Sequence, residues 1–363
     1  MYFGSEMLQG LCYYEFELQR GGFIVTTTGD EWLALNQETV IEPDLPICDP
    51  HHHFWDFRTE RYPYERYLLH ELSVDVGGGH NVLSTVFVEA RSMYRADGPE
   101  ELKPVGEIEF VQGLAAASAS GLYGRTKVAA AIVGHANLNL GDRVEPVLDN
   151  LLQASPNRFR GIRHSVTWDD NPEIENTALH KIQGQLSNET FRAGAKVLSD
   201  KGLSFEAWLF APQLLELAEF AKAVPDLTII LNHIGGLVRI GPYANNSNEV
   251  HENWRDGIAA VAECSNVHVK LGGIGMRIMG FDWEKRSIPV GSDEMSESIA
   301  PFMHYCIEKF GPDRAMFESN FPVDKMSFSY NVMYNAFKKL SKEYSQAERA
   351  AMFHDNATSV YRI

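Results

Sequence analysis

The sequence predicts an α/β fold, a single (β/α)8 TIM barrel, and three observations lead there. Short β-branched or apolar runs recur from Leu45 onward, each followed by an amphipathic or Ala-rich stretch of helical character. Strands that alternate with helices in this way build a parallel sheet. Eight such units fit within roughly 300 residues, the size of a closed barrel. An open doubly wound sheet would instead place a Gly-rich phosphate turn after its first strand, and here histidines stand in that place.

The eight strand candidates are, in order, "PICD", "VLSTVFVEA", "KVAAAIVG", "FRGIRH", "LSFEAWLF", "LTIILNHI", "NVHVKLGG" and "RAMFESNF". Helical stretches separate them, over residues 106–121, 143–154, 189–202, 211–224, 253–265 and 296–311, and Gly202 and Gly311 stand where two of these should stop. Residues 1–24 carry neither periodicity and are read as an extension that folding and activity do not need. Residues 25–44 form a lead-in, and 45–363 form the barrel.

At 44% hydrophobic and 22% charged, the 363-residue chain can bury a large core. Its 32 basic and 49 acidic residues give a net charge of −17, which repels nucleic acid and anionic membrane surfaces. Cys12, Cys48, Cys264 and Cys306 are scattered, so they form neither a disulfide framework nor a zinc knuckle, and a reducing cytoplasm is expected. No apolar run is long enough to span a bilayer. A small-molecule substrate is therefore the expected partner, and a homo-oligomer is compatible with the sequence.

Chemistry concentrates first in "ICDPHHHFWDF", Ile47 to Phe57. In an extended segment His51 and His53 face one way and His52 the other, with Asp49 on the face of the first two and one step deeper. Two imidazoles on one side of a strand end can hold a divalent metal or an oxyanion. The other strands end in polar groups as well: Glu89 and Arg91 after strand 2, Arg163 and His164 on strand 4, His233 on strand 6, Lys270 on strand 7, and Glu318 and Asn320 on strand 8, with Asp324 just beyond. In a barrel these ends share the rim where catalysis occurs.

The motifs "DPHHHFWD", "FRGIRH", "LNHIGG", "ESNFPVD" and the closing "NATSVYRI" resemble the amidohydrolase-2 branch of the amidohydrolase superfamily, from Leu45 to Ile363. Its members include sugar lactonases, 2-pyrone-4,6-dicarboxylate lactonase and metal-dependent decarboxylases. The resemblance implies hydrolysis or decarboxylation of a small, often carboxylated substrate. It implies that His51, His53 and His233 ligate a divalent metal, zinc or manganese, or bind an oxyanion without one, and that Arg163 holds a substrate carboxylate. Two departures stand out. Strand 5 offers Glu206 and Trp208 where the superfamily supplies a histidine, and Asn320 occupies the place of the catalytic aspartate. An amide accepts no proton at neutral pH. Asp324 is therefore the expected base, ahead of Glu318, with Asn320, His164 and His233 completing the catalytic group. Arg163, Glu89, Arg91, Tyr94 and Glu206 are the expected substrate contacts, and Arg95 joins Arg91 and Tyr94 in the wall or lid after strand 2. The expected reaction is attack of water on a lactone or ester carbonyl; a decarboxylase and an inactive binding protein are the alternatives.

Overall fold

The computed structural model describes residues 29–58, 62–244 and 247–363; the extension over residues 1–24 lies outside them. Eight parallel strands run in sequence order around one sheet: β1 Pro46–His52, β2 Asn81–Val88, β3 Lys127–Gly134, β4 Phe159–Arg163, β5 Ser204–Ala207, β6 Ile229–Leu231, β7 Val267–Leu271 and β8 Ala315–Phe317. One helix follows each strand: α1 Leu69–Val76, α2 Val105–Ser118, α3 Glu145–Ala154, α4 Glu189–Asp200, α5 Leu214–Ala223, α6 Ser247–Ala262, α7 Ser292–Phe310 and α8 Tyr330–Leu340. This is the predicted (β/α)8 architecture. Its apolar strand runs exceed the strands themselves, because "WLF" after β5 and "HIGG" after β6 continue into rim loops.

The barrel closes between β1 and β8, and it closes beyond the end of β8 rather than along it. Asn320 N–H donates to His51 O at 2.9 Å and His53 N–H donates to Phe321 O at 2.8 Å, so the chain just past β8 is the missing ladder partner of β1. A bulge in β1 makes this possible. Asp49 pairs with Thr85 and His52 with Phe87, so β1 carries one residue more than β2 across that interval, and Pro50, which has no N–H to give a ladder, lies within it.

The bulge corrects one expectation. Cys48 points into the barrel, and His51 and His53 face the rim, but Asp49 does not share their face. Its carboxylate accepts from Ser319 N–H at 2.9 Å and from the Tyr330 hydroxyl of α8 at 3.1 Å, so it staples the seam from outside. Burial pushes this carboxyl up to about 6.

Inside the barrel, apolar side chains such as Val86, Ala131, Ile230 and Met316 surround one buried polar group, and Tyr361 of the C-terminal turn seals its base. Glu206 sits there. It accepts from Lys270 Nζ at 2.8 Å and from the Asn232 amide and the Tyr361 hydroxyl, with both ion-pair partners fully buried. The lead-in docks on the outer layer, where Glu38 accepts from Ser292 N–H at 2.7 Å and Asn335 Nδ2 at 3.0 Å, and Lys338 donates to Ile41 O at 2.9 Å. No helix of the described residues is long and apolar enough to cross a membrane.

Truncating one partner of a buried ion pair strands the other charge. Lys270→Met should therefore lower unfolding free energy in urea by about 3–5 kcal/mol, and adding Glu206→Gln should restore a large part of the loss.

Candidate active site

At the C-terminal rim, one carboxylate organises residues from three strands. His51 Nδ1–H donates to Glu318 Oε2 at 2.6 Å, and His233 donates to Oε1 from Nδ1 at 2.6 Å and from its backbone N–H at 3.1 Å. The two rings stack with centroids 4.7 Å apart. His53 lies edge-on to His51, donates its own Nδ1–H to Val88 O at 2.8 Å, and brings Nε2 to 3.3 Å from the Asn320 side-chain amide. Burial holds His51 and His53 well below the ordinary imidazole range, aided by the Lys270 charge at His51 and the Arg163 charge at His53. His51 and His53 thus commit their Nδ1 protons to fixed acceptors, and His233 turns Nδ1 to the same Glu318 carboxylate as His51.

The local backbone is shaped around these rings. His233, Ile234 and Asn320 take positive φ of 54°, 48° and 55°, strained for side chains of this kind. Gly272 and Gly273 follow β7 because nothing larger fits. A Cβ would lie 2.4 Å from Glu318 Cγ at the first and 2.4 Å from His233 Cγ at the second.

The rings open on a cavity of about 490 Å³ whose wall includes His53, His233, Asn320, Glu89, Arg163 and His164. His51 lies directly behind it. Arg163 is heavily engaged, donating from Nε to Glu89 Oε1 at 2.8 Å, from a second nitrogen to the Glu89 carbonyl, and from a third to His51 Nε2 at 3.2 Å. Burial works against the Glu89 charge, but Arg163 beside it holds the carboxyl below its ordinary range. The expected carboxylate anchor thus has its charge matched within the protein.

Arg91 is placed differently. It is exposed, lines the cavity with a positive φ of 55°, and makes no ion pair among the described residues. Glu107 of α2 sets that loop by accepting from Ala90 N–H at 3.0 Å and Ser92 N–H at 2.8 Å. Burial and the nearby Glu89 charge push the Glu107 carboxyl up to about 8. Tyr94 is not on the cavity wall, and Arg95 pairs outside it with Glu109.

The remaining expected residues separate. His164 has both nitrogens engaged, Nδ1 accepting from Leu138 N–H at 3.1 Å and Nε2 facing the Gln185 carboxamide at 3.1 Å. Glu206 is inside the barrel and does not reach the cavity. Asp324 is fully buried behind Asn320, accepting from Asn320 Nδ2 at 2.8 Å and Gly275 N–H at 2.9 Å, and burial raises its carboxyl well above the ordinary range. The carboxyl has no face on the cavity, and its contact there runs through the Asn320 amide that it holds.

His135 is the residue that sequence reasoning missed. Its Nδ1–H donates to Arg163 O at 3.0 Å and its ring lines the cavity, leaving Nε2 without a partner among the described residues. The signal was available, since His135 directly follows β3. Where strand 5 lacks a histidine, Trp208 stands against His233 with ring centroids 4.9 Å apart.

The donor set suits a divalent cation. His51, His233 and Glu318 offer ligand-type atoms within 4.8 Å of one another, and because the Glu318 oxygens hold both Nδ1 atoms, Glu318 would stand behind the rings that ligate. Imidazoles whose Nδ1–H is held by a carboxylate or carbonyl are in the state that ligation through Nε2 requires.

Two measurements follow from this geometry. Gly273→Ala should displace His233 and lower kcat at least about tenfold, because active-site geometry tolerates shifts of only about an ångström. Glu107 should make stability pH-dependent. Its carboxyl binds a proton more tightly in the folded state, so its contribution is complete below about 4.5, the unfolded value, and is lost as pH rises through about 8. Urea titrations between pH 5 and 9 should show wild type losing stability relative to Glu107→Gln as pH rises.

Residues 48–363 match the amidohydrolase family. Among curated relatives, the uncharacterized protein y4mH of Sinorhizobium fredii is 34% identical over 337 residues, covering 88% of this chain and 99% of the relative. L-fucono-1,5-lactonase of Burkholderia multivorans is 21% identical over 328 residues, covering 87% and 95%. Among solved structures, an amidohydrolase from Burkholderia multivorans with bound zinc superposes with a TM-score of 0.67 at 22% identity, covering 87% of this chain and 99% of its own. Since the match runs from within β1 to the final residue, the chain belongs to the amidohydrolase family and is a hydrolase.

Proposed function

We propose that the protein hydrolyses a small carboxylated lactone by attack of water at the barrel rim. The observation that carries this reading is the cavity itself, whose wall brings His53, His135, His233 and Asn320 together with the guanidinium groups of Arg58 and Arg91. Arg58 stacks over Trp55 with its guanidinium carbon 4.6 Å from the ring centroid. Burial lowers its affinity for a proton and the neighbouring Arg91 charge lowers it further. Two cations that line one cavity suit an anion within reach of both, and a substrate carboxylate supplies it. Arg163, matched by Glu89, is left to hold His135 through its backbone carbonyl, and its contact with His51 Nε2 would give way where that nitrogen takes a cation.

His135 is the proton acceptor in this reading. A buried ring held neutral, anchored through Nδ1 and open at Nε2, can take a proton from the attacking water and return it to the leaving alkoxide. Asn320 orients the water, with Asp324 fixing the amide from behind. A divalent cation held by His51, His53 and His233, zinc or manganese by donor type, would supply Lewis-acid polarisation of the lactone carbonyl. The name of the Burkholderia lactonase lends the reaction class support. A decarboxylase on the same rim would release carbon dioxide, so product analysis separates the two.

Three variants test the assignment on carboxylated five- and six-membered lactones. His135→Asn should lower kcat by about 10²-fold with little change in KM. Arg91→Gln should raise KM by about tenfold while kcat holds. Asp324 is buried behind Asn320 with no face on the cavity, so for Asp324→Asn kcat should stay within about tenfold of wild type, and a full loss would return the base to Asp324.

A further inference from the structure

A second hydrophobic cluster, separate from the main core, stands on one side of the cavity. Ile174, Trp208, Phe210 and Val238 form it, with Ile240, Tyr243, Met276 and Ile278 packed against them. These residues come from the loops that follow β4, β5, β6 and β7. Trp208, Phe210, Ile240, Met276 and Ile278 face the cavity, and the last three are only half-buried.

The polar atoms of Trp208 and Tyr243 are spent within this wall. Trp208 Nε1–H donates to Thr177 Oγ1 at 2.9 Å, the Tyr243 hydroxyl donates to Asp169 at 2.6 Å, and Arg239 N–H donates to Ile278 O at 2.8 Å. Arg277, between Met276 and Ile278, is exposed at the rim and leans 3.7 Å toward Glu284. What Trp208, Phe210, Ile240, Met276 and Ile278 turn toward the cavity is hydrocarbon, with the exposed Glu173, Glu175 and Arg277 beside them, and Glu89, Arg91, His135 and Arg163 line the rest of the same cavity. A ring bearing hydroxyls on both faces would leave those set against Trp208, Phe210, Met276 and Ile278 without partners, since buried polar groups demand hydrogen bonds.

We infer that the substrate is a lactone with a hydrocarbon face: a carboxylated ring bearing an aryl or alkyl substituent on the side remote from its carboxylate, selected against polyhydroxylated lactones. This rests on the lactonase reading and adds the substrate class. The cluster discriminates by contact with the substituent, and Arg58 and Arg91 fix the orientation that brings it there.

Two arms test the inference. In the first, kcat/KM is measured for an aryl-substituted carboxylated six-membered lactone and for an aldonolactone of the same ring size. The aryl lactone should be favoured by about 100-fold, and Ile278→Asn should cut that preference at least about tenfold, mainly through KM. The second arm needs no turnover. Calorimetry on the wild-type protein compares an aryl-substituted cyclohexane carboxylate with a polyhydroxylated cyclohexane carboxylate, and the aryl compound should bind at least about tenfold tighter. Equal or tighter binding of the polyol overturns the inference. If no lactone is hydrolysed while the aryl compound binds preferentially, the lactonase reading fails and the apolar-faced ligand stands.

Discussion

Glu318 accepts three N–H groups from two other points on the rim, and the site depends on that single carboxylate. It reaches His51 on β1 and both the ring and backbone of His233 after β6, so it fixes two rings at once and with them the direction of their free lone pairs. Replacing it with an apolar side chain would leave these buried donors unpaired, at about 1–3 kcal/mol each. The carboxylate fits only because Gly272 carries no Cβ, and its partner ring fits only because Gly273 carries none. The glycine pair, the carboxylate and the rings form one constraint.

The same place closes the barrel. Asn320 and Phe321 complete the ladder of β1 beside His51 and His53, while Asp49 and Ser319 staple the seam from outside. Joining the last strand to the first therefore also assembles the site. This accounts for the backbone strain at Asn320 and His233, where the chain must leave regular geometry to present side chains to the cavity. Below the seam, the Lys270–Glu206 pair lies inside the barrel, and its charge helps keep His51 neutral.

Much of this was legible in the residues. Eight apolar runs and the helices between them specified the barrel, and alternation around the triple histidine assigned His51 and His53 to one face with His52 packing outward against Phe54 and Phe87. Alternation failed one step earlier, at Asp49, because a bulge adds a residue that no period-two pattern reveals. Glu206 has the composition of a rim residue, but its depth depends on how far β5 sits within the barrel, which sequence does not specify. Asp324 follows a turn that folds it back behind Asn320, and only tertiary packing tells a carboxyl at the cavity from one behind it. The partners of Arg163 come from β1 and β2, far away in sequence, so its neutralisation was likewise invisible.

The central claim is that fixed acceptors set the tautomers of the rim histidines and aim neutral nitrogens at the cavity. Nitrogen-15 NMR of histidine-labelled protein at neutral pH reads those tautomers directly. The account predicts an Nδ1 proton on His51, His53 and His233, with the His51 and His233 signals changing in Glu318→Gln and the His53 signal little affected. Rings protonated at Nε2, or a His233 signal indifferent to Glu318→Gln, would contradict it.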